Sequence, residues 1–498
     1  MQTLLIRRSA HRPRERGVTM VLVALAMVAI IAMAALSIDV ITLYLAKQEA
    51  QRSADAAALA AGKVIALSGI TGDPNNGSGN WGVVCGPDDG TNGLATRVAK
   101  AVANQNQIGG GPSTSPTVTY SSGGTRNADC TALSSTGFGV NPIITVQLSR
   151  AGLPTFFSRI WGNTGNTISA TSTAEVFNPS NSGTSGSLPT GTIIPVQPRC
   201  VKPWVVPNQD PLHNTSGGVG ICTGGATGNC AKIVNLTDGS IVNKGISLSG
   251  TGAGGIIGET FWLNPICRYT GGSCTTRVNP PQANYNNNSG FMRGPPNLIF
   301  APGQVGTTPV IGVPSCTSGD QFEEAIEGCD QPTNYSCGLP PTSGGTNAVE
   351  LSLNPDVPTA NGVSCLIHQA SGGDITEPTG QDYLSTPTMG QPTSYPFQIF
   401  SGSASPLLSA GLTSGSPISV STSIVSLPIY DESTPLTGGV TQVTFVGFLQ
   451  VFINAVDPYG NVSVTVLNVA GCSNGVSTLV GTAVVANSPV PVRLITPP

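Results

Sequence analysis

Charge is scarce in this chain: Asp, Glu, Lys and Arg together make up 9% of its 498 residues, against about 25% in an ordinary soluble domain. That scarcity leaves no clustered Lys/Arg face of the kind that nucleic acid requires. Histidine is scarcer still, with three residues in all. His11, His213 and His368 stand in no His-Glu-x-x-His or similar pattern, and Cys365 with His368 supplies only two of the four ligands a zinc site needs. No Walker-type phosphate loop and no Gly-x-Ser-x-Gly elbow occurs, and the Gly-rich stretches lack the strand-to-helix context of a phosphate cradle. The sequence therefore nominates no catalytic residue, no cofactor and no metal, and we expect a protein that is not an enzyme.

Glycine and proline are plentiful, 63 and 40 residues, and they favour strands and turns over surface helices. Hydrophobic residues still reach 39%, enough to build cores rather than a disordered chain. The length suits two to four domains. No cysteine precedes Cys85, and the 12 cysteines are even in number, which fits disulfides formed in an oxidising compartment. Cys267 with Cys274, and Cys329 with Cys337, are close enough in sequence to bridge turns, although spacing fixes no connectivity among twelve.

One long apolar run stands out. Val18 to Ile38, VTMVLVALAMVAIIAMAALSI, carries no charge, and ten of its residues are Val, Leu or Ile. As a helix it spans about 31 Å, the thickness of a bilayer's hydrocarbon core. Before it stand Arg7, Arg8, Arg12, Arg14 and Arg16 with the single acid Glu15; the rest of the chain is left with a net charge of -8. The positive-inside rule places such an N-terminus in the cytoplasm and the bulk of the chain outside it. Two rival readings are a cleaved signal peptide, for which Ala32-Met33-Ala34 offers a small-x-small site, and a buried core helix. Arg16-Gly17-Val18-Thr19-Met20 is also similar to the start of a type IV prepilin. Prepilins carry Glu five residues after the Gly, however, and Leu22 stands at that position here.

Helical periodicity continues past the apolar run. Ala46, Ala50, Ala54, Ala57, Ala58 and Ala61 recur on one face, while Lys47, Gln48, Gln51, Arg52 and Asp55 form another. Ala54, Ala57, Ala58 and Ala61 make a narrow face on which a second backbone can approach closely, as in pairing helices. The alternative is that this face packs on the protein's own first domain.

Taken together, residues 15–62 resemble the N-terminal segment of TadG-like Flp (Tad) pilus-assembly proteins. The marks are Arg16-Gly17 before the span, Asp39 at its outer end, Tyr44, and the run Ser53-Ala54-Asp55-Ala56-Ala57-Ala58-Leu59-Ala60. A second stretch, Ile143 to Val176, resembles the extracytoplasmic part of TadE- and TadG-like proteins. The resemblance implies a part in building or anchoring a Flp pilus or related secretion machine at the inner membrane, with other pilus-assembly or pseudopilin proteins as partners and no nucleic acid. It marks Gly17, Asp39 and Asp55 as family positions, with Asp39 at the outer interface and Asp55 able to accept a hydrogen bond from a partner helix or to be simply solvated. Larger TadG relatives carry a von Willebrand factor A domain, but its Asp-x-Ser-x-Ser metal motif is missing here, so that adhesion role is not implied.

The expected fold class is α+β: a single N-terminal transmembrane helix continuing as a stalk, a small α+β domain, then a largely antiparallel β region. Residues 1–17 form a cytoplasmic basic segment, 18–38 the span, 39–68 the stalk, 69–178 the small domain, 179–190 a linker (within NPSNSGTSGSLPT), and 191–498 the β-rich part. Helices are expected at 94–104 and 320–328, the latter with solvated acids. The Pro-rich stretch 193–208 is expected to run extended along a surface, and residues 417 onward to form an antiparallel sheet or sandwich. Asp457-Pro458-Tyr459-Gly460-Asn461 reads as a hairpin turn rather than a calcium loop, and Trp204, Phe261, Trp262 and Phe322 as core rather than a ligand groove. The functional expectation is a membrane-anchored, non-enzymatic assembly component, with an exported hydrolase or carbohydrate-binding protein on the same anchor as the alternative.

Overall fold

Apolar residues without helix breakers, followed by alanines at helical spacing, produce one continuous helix. In the computed structural model, α1 runs from Glu15 to Leu67, 53 residues and about 80 Å at 1.5 Å per residue. The structure describes residues 15–122, 124–133, 138–162, 164–182, 196–224, 228–247, 254–271, 273–279, 281–286, 290–306, 316, 319–329, 335–338, 347–370, 378–384, 395, 397–472 and 484–496. Arg7, Arg8, Arg12 and Arg14 lie outside them, as do residues 183–190 of the expected linker; Pro179–Ser182 form a short helical turn.

The chain divides into two compact units that interleave in sequence. The first comprises residues 1–57, 100–117 and 146–172, and the second residues 58–99, 118–145 and 173–498. Late in the chain, the strand Val492–Ile495 returns to pair with the strand Asn166–Val176, giving that strand's edge a backbone partner.

The remaining elements begin with the short α2, Trp81–Cys85, and α3, Leu94–Gln105. Strands β1 (Thr114–Ser122), β2 (Thr125–Asn127), β3 (Ile143–Leu153) and β4 (Asn166–Val176) follow. Further strands are β5 (Trp204–Pro207), β6 (Thr260–Pro265), β7 (Asn297–Pro302), β8 (Ile424–Tyr430), β9 (Phe445–Val456), β10 (Val462–Gly471) and β11 (Val492–Ile495). A five-stranded sheet has the order β2-β1-β3-β4-β11, and a closed barrel the order β7-β5-β8-β9-β10-β6. In the sheet, β11 runs antiparallel to β4 with Val492 opposite Val176 and Ile495 opposite Thr173.

Barrel closure sharpens the expected sheet or sandwich. Four of its contacts are antiparallel, but β5 is parallel to β8 and β6 is parallel to β7. All residues of β9 and β10 are buried, as befits strands covered on both faces. Trp204, Leu263, Phe300, Leu427, Leu449 and Val464 belong to the main core. The Asp457–Asn461 segment is the turn joining β9 to β10: Asp457 Oδ1 accepts the N–H groups of Tyr459 and Asn461, both at 3.0 Å.

Asn468 of β10 also ends α1. Its Nδ2 donates to the Ala66 carbonyl at 2.9 Å, satisfying one of the orphan acceptors of a helix C-terminus. One turn earlier, Gly62 lets the helix approach the sheet: a Cβ there would lie 2.5 Å from Val492 Cγ1 and 3.7 Å from both Ala174 Cβ and Val176 Cγ2.

Three expectations are corrected. The Pro-rich stretch does not run along a surface, because residues 204–207 form β5, fully buried within the barrel. Its ladder is only two residues long on each side, and its prolines fall at or beyond the strand's ends, where a missing N–H is tolerated. The helix near 320 forms as α4, Gln321–Glu327, with Asp320 Oδ1 accepting from Phe322 and Glu323 N–H at 2.9 and 3.0 Å. Its acids Glu323 and Glu327 are nevertheless buried, because α4 packs on α5, Asp356–Ile367, where Gly362 lets Ile326 come close. Cysteine pairing also differs. Cys267 is bonded to Cys274, but Cys329 is bonded to Cys200 and Cys337 to Cys472. The fold, rather than sequence proximity, brings those sulfurs together. Cys85–Cys130, Cys222–Cys230 and Cys316–Cys365 complete six bridges that use every cysteine.

Candidate functional site at the outer end of the apolar helix

Large apolar side chains cover the first part of α1 and lie open around its circumference. Val18, Leu22, Ile30 and Met33 are each more than 60% exposed, and Leu36 and Ile38 about half exposed. Bare hydrophobic surface on this scale is unfavourable in water and natural in lipid. The described residues thus contain one helix long and apolar enough to cross a membrane.

Asp39 begins a different environment. It stands one residue past the apolar run, yet it is buried, because a distant turn folds over it. Asp39 Oδ1 accepts the N–H of Phe156 at 2.9 Å, and Oδ2 accepts those of Phe157 and Ser158 at 3.1 and 2.6 Å. These donors stand at the start of the short 3-10 helix Ser158–Trp161, so Asp39 satisfies N–H groups that a helical start leaves orphaned. The Ser158 N–H contributes most to holding the Asp39 carboxyl below its usual range; burial pulls the other way, and Phe156 and Phe157 support Ser158. The turn in return presents an exposed Phe156 beside the end of the apolar helix, where aromatic rings suit a membrane–water boundary.

A second turn grips α1 from residues 108–111. Gly109, at φ 55°, leaves space that a Cβ would lose to Leu153 Cδ2, 2.5 Å away, and its N–H donates to Glu49 Oε2 at 2.7 Å. Next along the helix, Lys47 Nζ donates to the Ser169 carbonyl, and Gln51 Nε2 to that of Thr171 at 3.2 Å. The Ser53 hydroxyl reaches the Ala103 carbonyl at 3.4 Å. A cavity of about 320 Å³ lined by Thr42, Ala46, Gly109, Pro154 and Phe156 remains between the two turns. Five polar side chains of α1, from Asp39 to Ser53, thus tie the helix to backbone groups of later turns and strands and of α3.

The other positions singled out by sequence are placed as follows. Ala54, Ala57, Ala58 and Ala61 are fully buried within the chain. Asp55 accepts a hydrogen bond from Gln51 of the same helix, one turn earlier, at 2.9 Å. A Cβ at Gly17 would meet nothing within 4 Å, and Arg16 lies in the first turn of α1. What sequence reasoning missed is that Asp39 and Phe156–Ser158 form one site; the signals were present separately, in a carboxylate just past an apolar run and a Phe-Phe-Ser turn, but nothing local links them.

The matched segment carries the Asp39 half of this site. Residues 17–64 match the family described as putative Flp pilus-assembly TadE/G-like. This TadE/G-like segment spans about a tenth of the chain and includes Gly17, Asp39, Asp55 and the alanine face. No curated protein and no solved structure matches the chain. The segment associates the chain with Flp/Tad pilus assembly.

Proposed function

We propose that this chain is a membrane-anchored, non-enzymatic component of Flp/Tad-type pilus assembly or a related secretion machine. In this reading residues 18–38 cross the inner membrane once, the arginine-rich N-terminus stays in the cytoplasm, and the disulfide-bonded bulk lies in the periplasm or outside the cell. Its partners are other pilus-assembly or pseudopilin proteins. The observation that carries the reading is the coincidence of the family match with a bare apolar helix whose outer end is clasped by the chain's own turns. Such a clasp transmits position, since a helix fixed in lipid then holds those turns at a set height above the bilayer. The six disulfides agree with an oxidising compartment.

The alternative, an exported hydrolase or carbohydrate-binding protein on the same anchor, finds little support at the aromatic rings of Trp262, Phe291 and Tyr459. There the Arg268 guanidinium sits 4.3 and 4.2 Å from the Phe291 and Tyr459 ring centres, and that of Arg293 sits 5.0 Å from Trp262. These rings are already occupied by the chain's own cations. Protease added to spheroplasts tests the topology. The reading requires the mass after residue 39 to be degraded while an N-terminal tag survives, with the intact chain resisting alkaline carbonate extraction. Release by carbonate, or protection of the bulk, would remove the anchor from the account.

A further inference from the structure

Inside the second unit, two stretches far apart in sequence bring two carboxylates and an imidazole to one point. His213 Nδ1 lies 2.9 Å from Asp210 Oδ2 and 3.0 Å from Glu259 Oε1, and ligand atoms of all three residues lie within 4.8 Å of one another. Asp210 and His213 sit in the loop after β5. That loop is fixed by backbone bonds from Asp210 N–H to the Ala231 carbonyl and from Ala231 N–H to the His213 carbonyl, both 2.8 Å, and the nearby Cys222–Cys230 bridge closes it. Glu259 immediately precedes β6, and its carbonyl accepts the Val466 N–H of β10 at 2.9 Å. Asp210 and Glu259 are 0% exposed and His213 5%.

Hydrogen bonding leaves this cluster incomplete. Asp210 is well supplied: Oδ1 accepts the Leu212 N–H at 3.0 Å, and Oδ2 accepts Asn243 Nδ2 and faces His213 Nδ1 at 2.8 and 2.9 Å. Glu259 is not. Neither of its carboxylate oxygens has a partner of hydrogen-bonding geometry, the 3.0 Å approach of His213 Nδ1 included. A single Nδ1 proton serves one acceptor, and Asp210 has it. A fully buried carboxylate without a donor is expensive to hold in a folded protein, and burial, with the charge of Asp210 beside it, disfavours the ionised form of Glu259 and raises its pKa well above the ordinary value.

A divalent cation resolves both problems, since it balances the two carboxylates and takes neutral imidazole as a ligand through Nδ1. Separations of 2.9–3.0 Å between nitrogen and oxygen are those of adjacent ligands each about 2.0–2.2 Å from a common ion. One imidazole with two carboxylates suits zinc or manganese better than a thiolate-seeking metal. Asn243 then orients the Asp210 ligand from outside, as ligands of bound metals require. It also lines a cavity of about 490 Å³, with Asn214, Ala231 and Lys232.

We propose that Asp210, His213 and Glu259 form a buried divalent-cation site, for Zn²⁺ or Mn²⁺, that locks the loop after β5 to the start of β6. The ion's role is structural. The test uses tag-free full-length chain purified in detergent without chelator. Mass spectrometry of the elements should find about one zinc or manganese per chain. After stripping with a chelator, adding either chloride should restore the ion and raise the melting temperature. Glu259→Gln and His213→Gln should each bind at least about tenfold more weakly. X-ray absorption of the wild-type ion should show nitrogen and oxygen neighbours at about 2.0–2.2 Å, with no sulfur near about 2.3 Å. That last reading decides the matter even if a variant fails to fold. Absence of stoichiometric metal together with no thermal response to either ion, wild-type affinity in both variants, or a sulfur shell would each overturn the proposal.

Discussion

Replacing Gly62 by alanine should change sign with the residue it faces. In the interior of a helix, Gly→Ala is worth about 1 kcal/mol of stabilisation. Here, however, the new Cβ would lie 2.5 Å from Val492 Cγ1, and overpacking of that kind costs about 1–3 kcal/mol. The steric cost outweighs the propensity gain, so Gly62→Ala in the wild-type background should lower stability by up to about 2 kcal/mol. Val492→Ala deletes the opposing methyl; the other neighbours, Ala174 Cβ and Val176 Cγ2, stand at an ordinary 3.7 Å. In that background Gly62→Ala should raise stability by about 1 kcal/mol. The double-mutant cycle therefore predicts a coupling of about 1–3 kcal/mol, within the range for residues in contact. Urea unfolding of the full chain in detergent, followed by fluorescence, reads mainly the second unit, which holds Trp81, Trp204 and Trp262 of the four tryptophans. Equal effects of Gly62→Ala in the two backgrounds would refute the close approach of α1 to β4 and β11.

Other outcomes follow from the same structure. Asp39→Ala should release the turn at 156–158, seen as several-fold faster tryptic cleavage after the exposed Arg159. Because the Asp39 carboxyl is held below its ordinary value, its contribution is present above that ordinary value and is lost as pH falls through the lower folded one. Lys202 is buried with its Nζ on the Gly328 carbonyl at 2.7 Å. Burial pulls its pKa down to about 7, against the opposing charge of Glu327. The unfolded chain then binds the extra proton between the folded and ordinary values, so stability should rise by about 2 kcal/mol from pH 7 to 9, and Lys202→Met should abolish that rise in urea midpoints. Removing the Cys337–Cys472 bridge, which closes a separation of 135 residues, should cost about 2–5 kcal/mol by the same assay. Ala57→Leu with Ala58→Leu should lower the melting temperature, since both positions are fully buried and overpacking costs about 1–3 kcal/mol each.

Local signals explain what the sequence made legible. The uncharged run of 18–38 and the alanine spacing of 46–61 reveal α1 because helical periodicity is a property of neighbouring residues. The β9–β10 hairpin was readable for the same reason, as two apolar strands flank an Asp-Pro-x-Gly turn. Helix α5 was not, because Pro358 and Gly362 in its sequence argue against a helix. Pro358 falls in the first turn, where no N–H is needed, and Gly362 is used for its closeness to Ile326. Barrel closure depends on Val206 meeting Ile429, and the Cys200–Cys329 bridge joins residues 129 apart; neither leaves a local trace. The same holds for the Asp39 clasp, whose partners lie 117 to 119 residues away, and for Glu259 beside His213.

Whether the TadE/G-like segment anchors a pilus-assembly component can be decided by counting surface pili in the electron microscope. The count is made in the native host lacking this gene, and in a strain producing residues 65–498 behind a cleavable signal in place of residues 1–64. Pili should be lost in both strains and return only with the full-length chain. Normal piliation in the deletion strain would contradict the proposed function.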